Sequence, residues 1–144
     1  VSVTIDDDIQ KSLKNISTNK NIEITNTLKN LSTKQITEVL KLIKNARLIQ
    51  IVAEGNTYPV AIDAVYKFNQ IGILAFSDAA FETSIAQTLN MVKQDILIII
   101  SNSGESKSLM KQLQVAQEKN IKVIAITNRN DSPIAQKADF HLKT

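Results

Sequence analysis

From residue 47 onward the chain repeats one pattern: a short run rich in Ile and Val, then a segment with helical spacing. The runs are RLIQIVA (47–53), GILAF (72–76), DILIIIS (95–101) and IKVIAIT (121–127), with a weaker DFHLK at 139–143. Between them lie three apolar sets at helical intervals: Ala61, Val65 and Phe68; Ile85, Leu89 and Val92; Leu109, Leu113 and Ala116. Strands that are apolar on both faces must be covered on both sides, and amphipathic helices between them supply the covers. With right-handed crossovers, this predicts an α/β fold, a three-layer α-β-α sandwich around a five-stranded parallel sheet.

Before residue 46 the pattern is helical. Ser32 with Gln35 makes a capping box, and Ile36, Val39, Leu40 and Ile43 follow at helix spacing. Upstream, Ile9, Leu13 and Ile16 fit another helix, with Asp6, Asp7 and Asp8 at its positive end. The intervening TNKNIEITNT (18–27) is polar and carries no clear pattern, while VSVTI (1–5) alternates as a strand does. Residues 1–46 therefore read as a helical extension and 47–144 as the α/β domain.

Composition excludes several classes. In 144 residues there is no cysteine and one histidine, His141, so neither a disulfide framework nor a protein-built metal site is expected. The longest apolar run, Ile96 to Ile100, is too short to span a bilayer, and the acidic start VSVTIDDDIQ is unlike a signal peptide. A cytoplasmic protein without membrane contact is the expectation. The net charge of +3 comes from lysines interleaved with Glu, Gln and Asn, with Arg47 and Arg129 the only arginines. Nucleic-acid binders cluster their basic residues, so this charge reads as a solvated surface.

Function is written most densely in ISNSGESKS (100–108), where four serines surround one of only three glycines at the end of the most apolar strand. In an open parallel sheet, ligands bind beyond the carboxyl ends of strands where the strand order reverses. For the order 2-1-3-4-5, that crevice lies between the first loop, AEGNTYP (53–59), and the third, SNSGES (101–106). Gly104 would let backbone amides approach a ligand, and a helix starting near Glu105 would aim its positive end there. Ser101, Ser103 and Ser106 add small hydroxyl donors, which makes a phosphate cradle with neutral donors in place of a lysine. The plainer reading is that serines crowd helix starts because they cap them.

The stretch ISNSGESKSLMKQLQVAQEKNIKVIAITNRNDSPIAQKADFHL (100–142) resembles the core signature of the sugar isomerase (SIS) domain. That signature is a strand, S-x-S-G-x-[ST], a helix, a strand ending in Thr, an S-P turn, and an aspartate before the last strand. RLIQIVAEGNTYPVAIDAVYKFNQIG (47–72) is similar to the first SIS strand, loop and helix. TLKNLSTKQITEVLKLIKNARLIQI (27–51) is similar, more loosely, to the segment joining the DNA-binding and SIS domains of RpiR-type transcriptional regulators.

The resemblance implies a flavodoxin-like SIS fold over 47–144 that binds a phosphosugar, commonly as a dimer, with DNA contacted only through an N-terminal domain outside this chain. Carried over by residue, it places phosphate-binding hydroxyls at Ser101, Ser103 and Ser106, and loop backbone at Asn102 and Gly104. Gly55, Asn56 and Thr57 fall on the first loop; Glu54 sits in the same loop, where it could face a sugar hydroxyl. Two departures stand out: Ala53 replaces the first loop glycine, and Thr57 replaces the usual serine.

Aldose–ketose isomerisation would need a base at the substrate, and Glu54, Glu82, Glu105 and His141 are the candidates. No spacing couples any pair of them, so no catalytic residue is assigned and no cofactor is expected. The hexulose-phosphate isomerases of the superfamily carry a Thr-Pro step after the second strand, which FSDAAFETSIAQ (76–87) lacks. The favoured reading is the effector-sensing domain of a regulator of carbohydrate metabolism; a sugar-phosphate isomerase is the alternative. Asp78 at the end of the second strand suits a ribose-binding acid, but A-E-G-N-T-Y lacks two dinucleotide-loop glycines, and Asp78 equally suits a helix N-cap. Pro59 and Pro133 suit first helical turns, and Asn120 a left-handed helix end. Tyr58 and Tyr66 fit either a core or an interface.

Overall fold

A computed structural model describes residues 5–144. Residues 1–4 of the expected VSVTI strand lie outside the described residues, and Ile5 already opens a helix. Helix α1 runs Ile5–Asn30, straight through the polar 18–27 segment, with Asp6, Asp7 and Asp8 in its first turn. Helix α2 covers Thr33–Asn45, capped by the Ser32 side chain, which accepts from the Gln35 amide at 3.4 Å. Only half of the predicted capping box forms, because the Gln35 carboxamide instead donates to the His141 carbonyl at 2.7 Å.

The sheet follows as β1 (Ile49–Val52), β2 (Ala75–Phe76), β3 (Ile96–Ile100), β4 (Lys122–Thr127) and β5 (Phe140–Lys143). All pairings are parallel, in the order β2-β1-β3-β4-β5. The intervening helices are α3 (Tyr58–Gln70), α4 (Phe81–Leu89), α5 (Lys107–Glu118) and α6 (Pro133–Lys137). The expected three-layer sandwich is present. Alternate residues of one strand feed opposite layers: Leu97 and Ile99 pack with Leu109 and Leu113 of α5, Ile96 and Ile98 with Ala61 of α3 and Val39 of α2. Pro59 and Pro133 stand in first turns, and Asn120 has φ 58°.

Two local expectations are corrected. Asp78 does not cap α4; Ala80 holds that position, and the Asp78 carboxylate accepts from the Ala80 amide two residues on. Nor does the set Ile85, Leu89 and Val92 form the inward face of α4, since Leu89 and Val92 are exposed and Ser84 and Thr88 are buried. The cause is Gln50 of β1 and Gln112 of α5, both fully buried. Thr88 Oγ1 donates to Gln50 Oε1 at 2.6 Å, and Gln112 Nε2 donates to the Ser84 and Thr88 hydroxyls at 2.8 and 2.9 Å. Buried carboxamides need partners, so α4 turns its hydroxyls inward.

His141 on β5 places Nε2 2.7 Å from Thr127 Oγ1, within hydrogen-bond distance. Burial holds the imidazole below its ordinary value of 6.5, outweighing the opposing hydrogen bond at Thr127. The unfolded chain therefore takes up the proton first. Stability is full above about pH 6.5 and is lost as pH falls through the depressed folded value. Denaturation midpoints followed from about pH 8 to 5 should decline less in His141→Gln than in the unaltered chain; equal declines would remove His141 as the source.

Candidate functional site

The strand order reverses between β1 and β3, and their carboxyl ends bring together loops roughly fifty residues apart. A hollow of about 300 Å³ opens there, lined by Glu54, Thr57, Ser101, Asn102, Ser103 and Ser106 over a floor of Ile100 and Leu109. Six of the nine residues expected from the sequence thus share one cavity. Gly55 and Asn56 form the short 3-10 turn Gly55–Thr57 beside it, and Gly104 is buried behind it.

Each serine has a distinct job. Ser101, buried, accepts from the Gly104 amide at 3.1 Å and so closes the loop on itself. Exposed Ser103 accepts from the Glu105 amide at 3.3 Å, a bond that leaves its hydroxyl proton free to donate. Ser106 is the N-cap of α5, accepting from the Leu109 amide at 3.2 Å. The helix therefore starts at Lys107, two residues later than expected from Glu105. Ser106 also donates to Glu54 Oε2 at 2.6 Å, joining residues 52 positions apart. A carboxylate thus already holds one hydroxyl of the hollow, and no sequence signal pairs these two residues.

The reason for Gly104 also changes. Its φ is +68°, and a Cβ there would lie 2.2 Å from Ser132 Oγ, pointing toward the β4–α6 turn rather than toward the hollow. The glycine is needed because the third loop packs against that turn. Backbone bonds from Ile134 to the Gly104 carbonyl and from Asn128 to the Asn102 carbonyl fasten the two together.

The other candidate bases lie elsewhere. Glu105 pairs with Arg129 at 3.0 Å, and Arg129 also grips Asp131, whose carboxyl it holds below the usual range. Exposed Glu82 and the Thr127-bound His141 line neither this hollow nor the larger one beside it. That larger cavity, about 540 Å³, lies under the C-terminal half of α1 and is bordered by Asn26, Asn30, Asn102 and Asn128. Sequence reasoning missed the contribution of α1, because no motif marks it.

A doubly covered parallel sheet, with a hydroxyl-lined hollow at its reversal and a helix N-terminus above it, is an arrangement in which an α/β domain can hold a small anion. Residues 42–144 match the SIS domain model, and the chain belongs to the SIS domain family. It is 39% identical over 101 residues to the bifunctional protein glk of Paraburkholderia xenovorans, a match covering 69% of this chain and 15% of that protein. The chain thus spans only a small part of that relative. The Vibrio vulnificus NanR protein complexed with ManNAc-6P superposes with a TM-score of 0.85 at 20% identity, covering 92% of this chain and 50% of that one. The sugar isomerase domain of an RpiR transcription factor from Sphaerobacter thermophilus gives 0.83 at 24% identity, covering 90% and 73%. Among the described residues, no helix is long and apolar enough to cross a membrane.

Proposed function

We propose that this SIS domain is the phosphosugar-sensing domain of an RpiR-type regulator of carbohydrate metabolism, acting in the cytoplasm. The observation that carries the reading is the convergence of Thr57, Ser101 and Ser103 on one hollow at the strand reversal, beneath the N-terminus of α5. Neutral hydroxyls and a helix's positive end complement a phosphate. The fold it shares with NanR, a protein solved with ManNAc-6P, supports a phosphorylated sugar as the ligand. Ser103→Ala should weaken a confirmed sugar phosphate about ten-fold or more, since a charge-assisted hydrogen bond contributes about 1.5–3 kcal/mol. Unchanged affinity by calorimetry would remove Ser103 from the site. The isomerase alternative is favoured by one feature, the Glu54 carboxylate in the hollow. Protein-dependent conversion of a hexose or pentose phosphate in a coupled assay would assign that role instead.

The domain works as a dimer in this reading, so that ligand binding biases one arrangement of two subunits over another. Helix α1, about 39 Å long, leaves Ile9, Leu13, Ile16, Ile24 and Leu28 in water, the leucines more than 60% exposed. Val60, Ile62 and Tyr66 of α3 are exposed as well. Apolar surface on this scale favours association. Sedimentation at tens of micromolar should give a dimer, and Leu13→Glu/Ile16→Glu should shift it toward monomer. A monomer in the unaltered chain would refute the arrangement.

A further inference from the structure

The larger cavity next to the hydroxyl-lined hollow has no role so far. The two share Asn102, so a molecule anchored in the first by its anionic end extends into the second past that side chain. The second cavity is bordered by three parts of the chain: the last turns of α1, the loops after β3 and β4, and the end of β5. Its size lies within the range of small-molecule sites.

Its chemistry is dominated by carboxamides. Asn26 and Asn30 project from α1, and Asn102 and Asn128 from the two loops. Asn102 and Asn128 are held relative to one another: the Asn128 amide donates to the Asn102 carbonyl at 3.0 Å, so the two loops keep a constant spacing. None of the four side chains has a hydrogen-bond partner among the described residues, whereas in the core the Gln50 carboxamide uses both its nitrogen and its oxygen and Gln112 Nε2 donates to two hydroxyls. A free carboxamide offers two donors and an acceptor side by side, the pattern that adjacent sugar hydroxyls complement. Thr27, the one α1 residue from Asp6 onward that is partly buried, adds a hydroxyl. Glu23 and Lys143 bring one charge of each sign, so the cavity has no strong preference for a second ionic group. No aromatic side chain lines it among the described residues, so it offers no stacking surface to a nucleobase.

We infer that this cavity is the sugar subsite, in which α1 supplies Asn26 and Asn30 to the uncharged polyhydroxyl part of a sugar monophosphate. The inference rests on the phosphate reading of the hollow. It makes α1 part of the ligand site. It also places the apolar stripe of α1 on the same helix as the sugar contacts, so that the ligand and a second subunit would act on one element.

The test is calorimetry with inorganic phosphate and a panel of hexose and N-acetylhexosamine 6-phosphates, on the unaltered chain and on Asn26→Ala/Asn30→Ala. Both positions are exposed and helical, where alanine is well tolerated. The unaltered chain should bind at least one sugar phosphate ten-fold or more tighter than phosphate. The double variant should lose most of that increment and bind inorganic phosphate as before. Retention of the full increment overturns the subsite, as does equal affinity for phosphate and every sugar phosphate in the unaltered chain. Absence of binding to phosphate and to all the sugar phosphates overturns the phosphate hollow as well, so the two failures are distinct.

Discussion

Gly104→Ala should cost about 3–4 kcal/mol of stability and abolish ligand binding with it. A left-handed residue other than glycine costs about 1–2 kcal/mol, and forcing extra volume into a packed site adds about 1–3 kcal/mol. Both penalties apply here. The φ is +68°, and the new methyl would sit 2.2 Å from Ser132 Oγ, 2.6 Å from Ser132 Cβ and 3.3 Å from Thr127 Cγ2. Ser132 cannot rotate aside, because it is fully buried, donates to the Arg129 carbonyl and caps α6 through the Ala135 amide. Relief has to come from separating the third loop from the β4–α6 turn, which carries Ser101 and Ser103 out of place. Gly55→Ala is the internal control: its φ is +57° with nothing within 4 Å of the new methyl, so only the backbone term of about 1–2 kcal/mol remains. Urea denaturation of both variants gives the comparison. A Gly104→Ala loss no larger than that of Gly55→Ala would show that the loop and turn separate freely.

Glu54→Ala should tighten inorganic phosphate about ten-fold. The carboxylate accepts a hydrogen bond from the Ser106 hydroxyl at 2.6 Å and so stands where the cradle would otherwise meet an anion. An arriving phosphate must displace that hydrogen bond and approach a like charge. At about 4 Å two unit charges repel by about 1 kcal/mol in water and about 4 kcal/mol at an effective dielectric of ~20. Glu54 is exposed, so the lower part of that range applies, and about 1.4 kcal/mol corresponds to ten-fold. The gain should shrink as salt is raised. Phosphate affinity that is unchanged or weaker in the variant would place the bound anion away from Glu54.

These two residues mark how far local sequence reaches. Gly104 stands out in the sequence as the one glycine among four serines after a buried strand, and the structure does require glycine there. The reason differs, however: the direction of its missing Cβ depends on Ser132, which is remote in sequence. Glu54 and Ser106 each fall in an expected loop, but their hydrogen bond follows from the three-dimensional course of two loop backbones. Helix α4 makes the same point in the core. Its apolar spacing is legible, yet Ser84 and Thr88 face inward because Gln50 and Gln112 wait there.

The run-and-helix alternation by itself determined the layers and the five parallel strands, because apolar periodicity and crossover handedness are local properties with few global solutions. Tertiary structure alone decided which polar atoms meet: Glu54 with Ser106, Gly104 against Ser132, and α1 over Asn102 and Asn128. Hydrogen bonds and close contacts act over a few ångströms between residues far apart in the chain, and no pattern within either segment records the distance to the other.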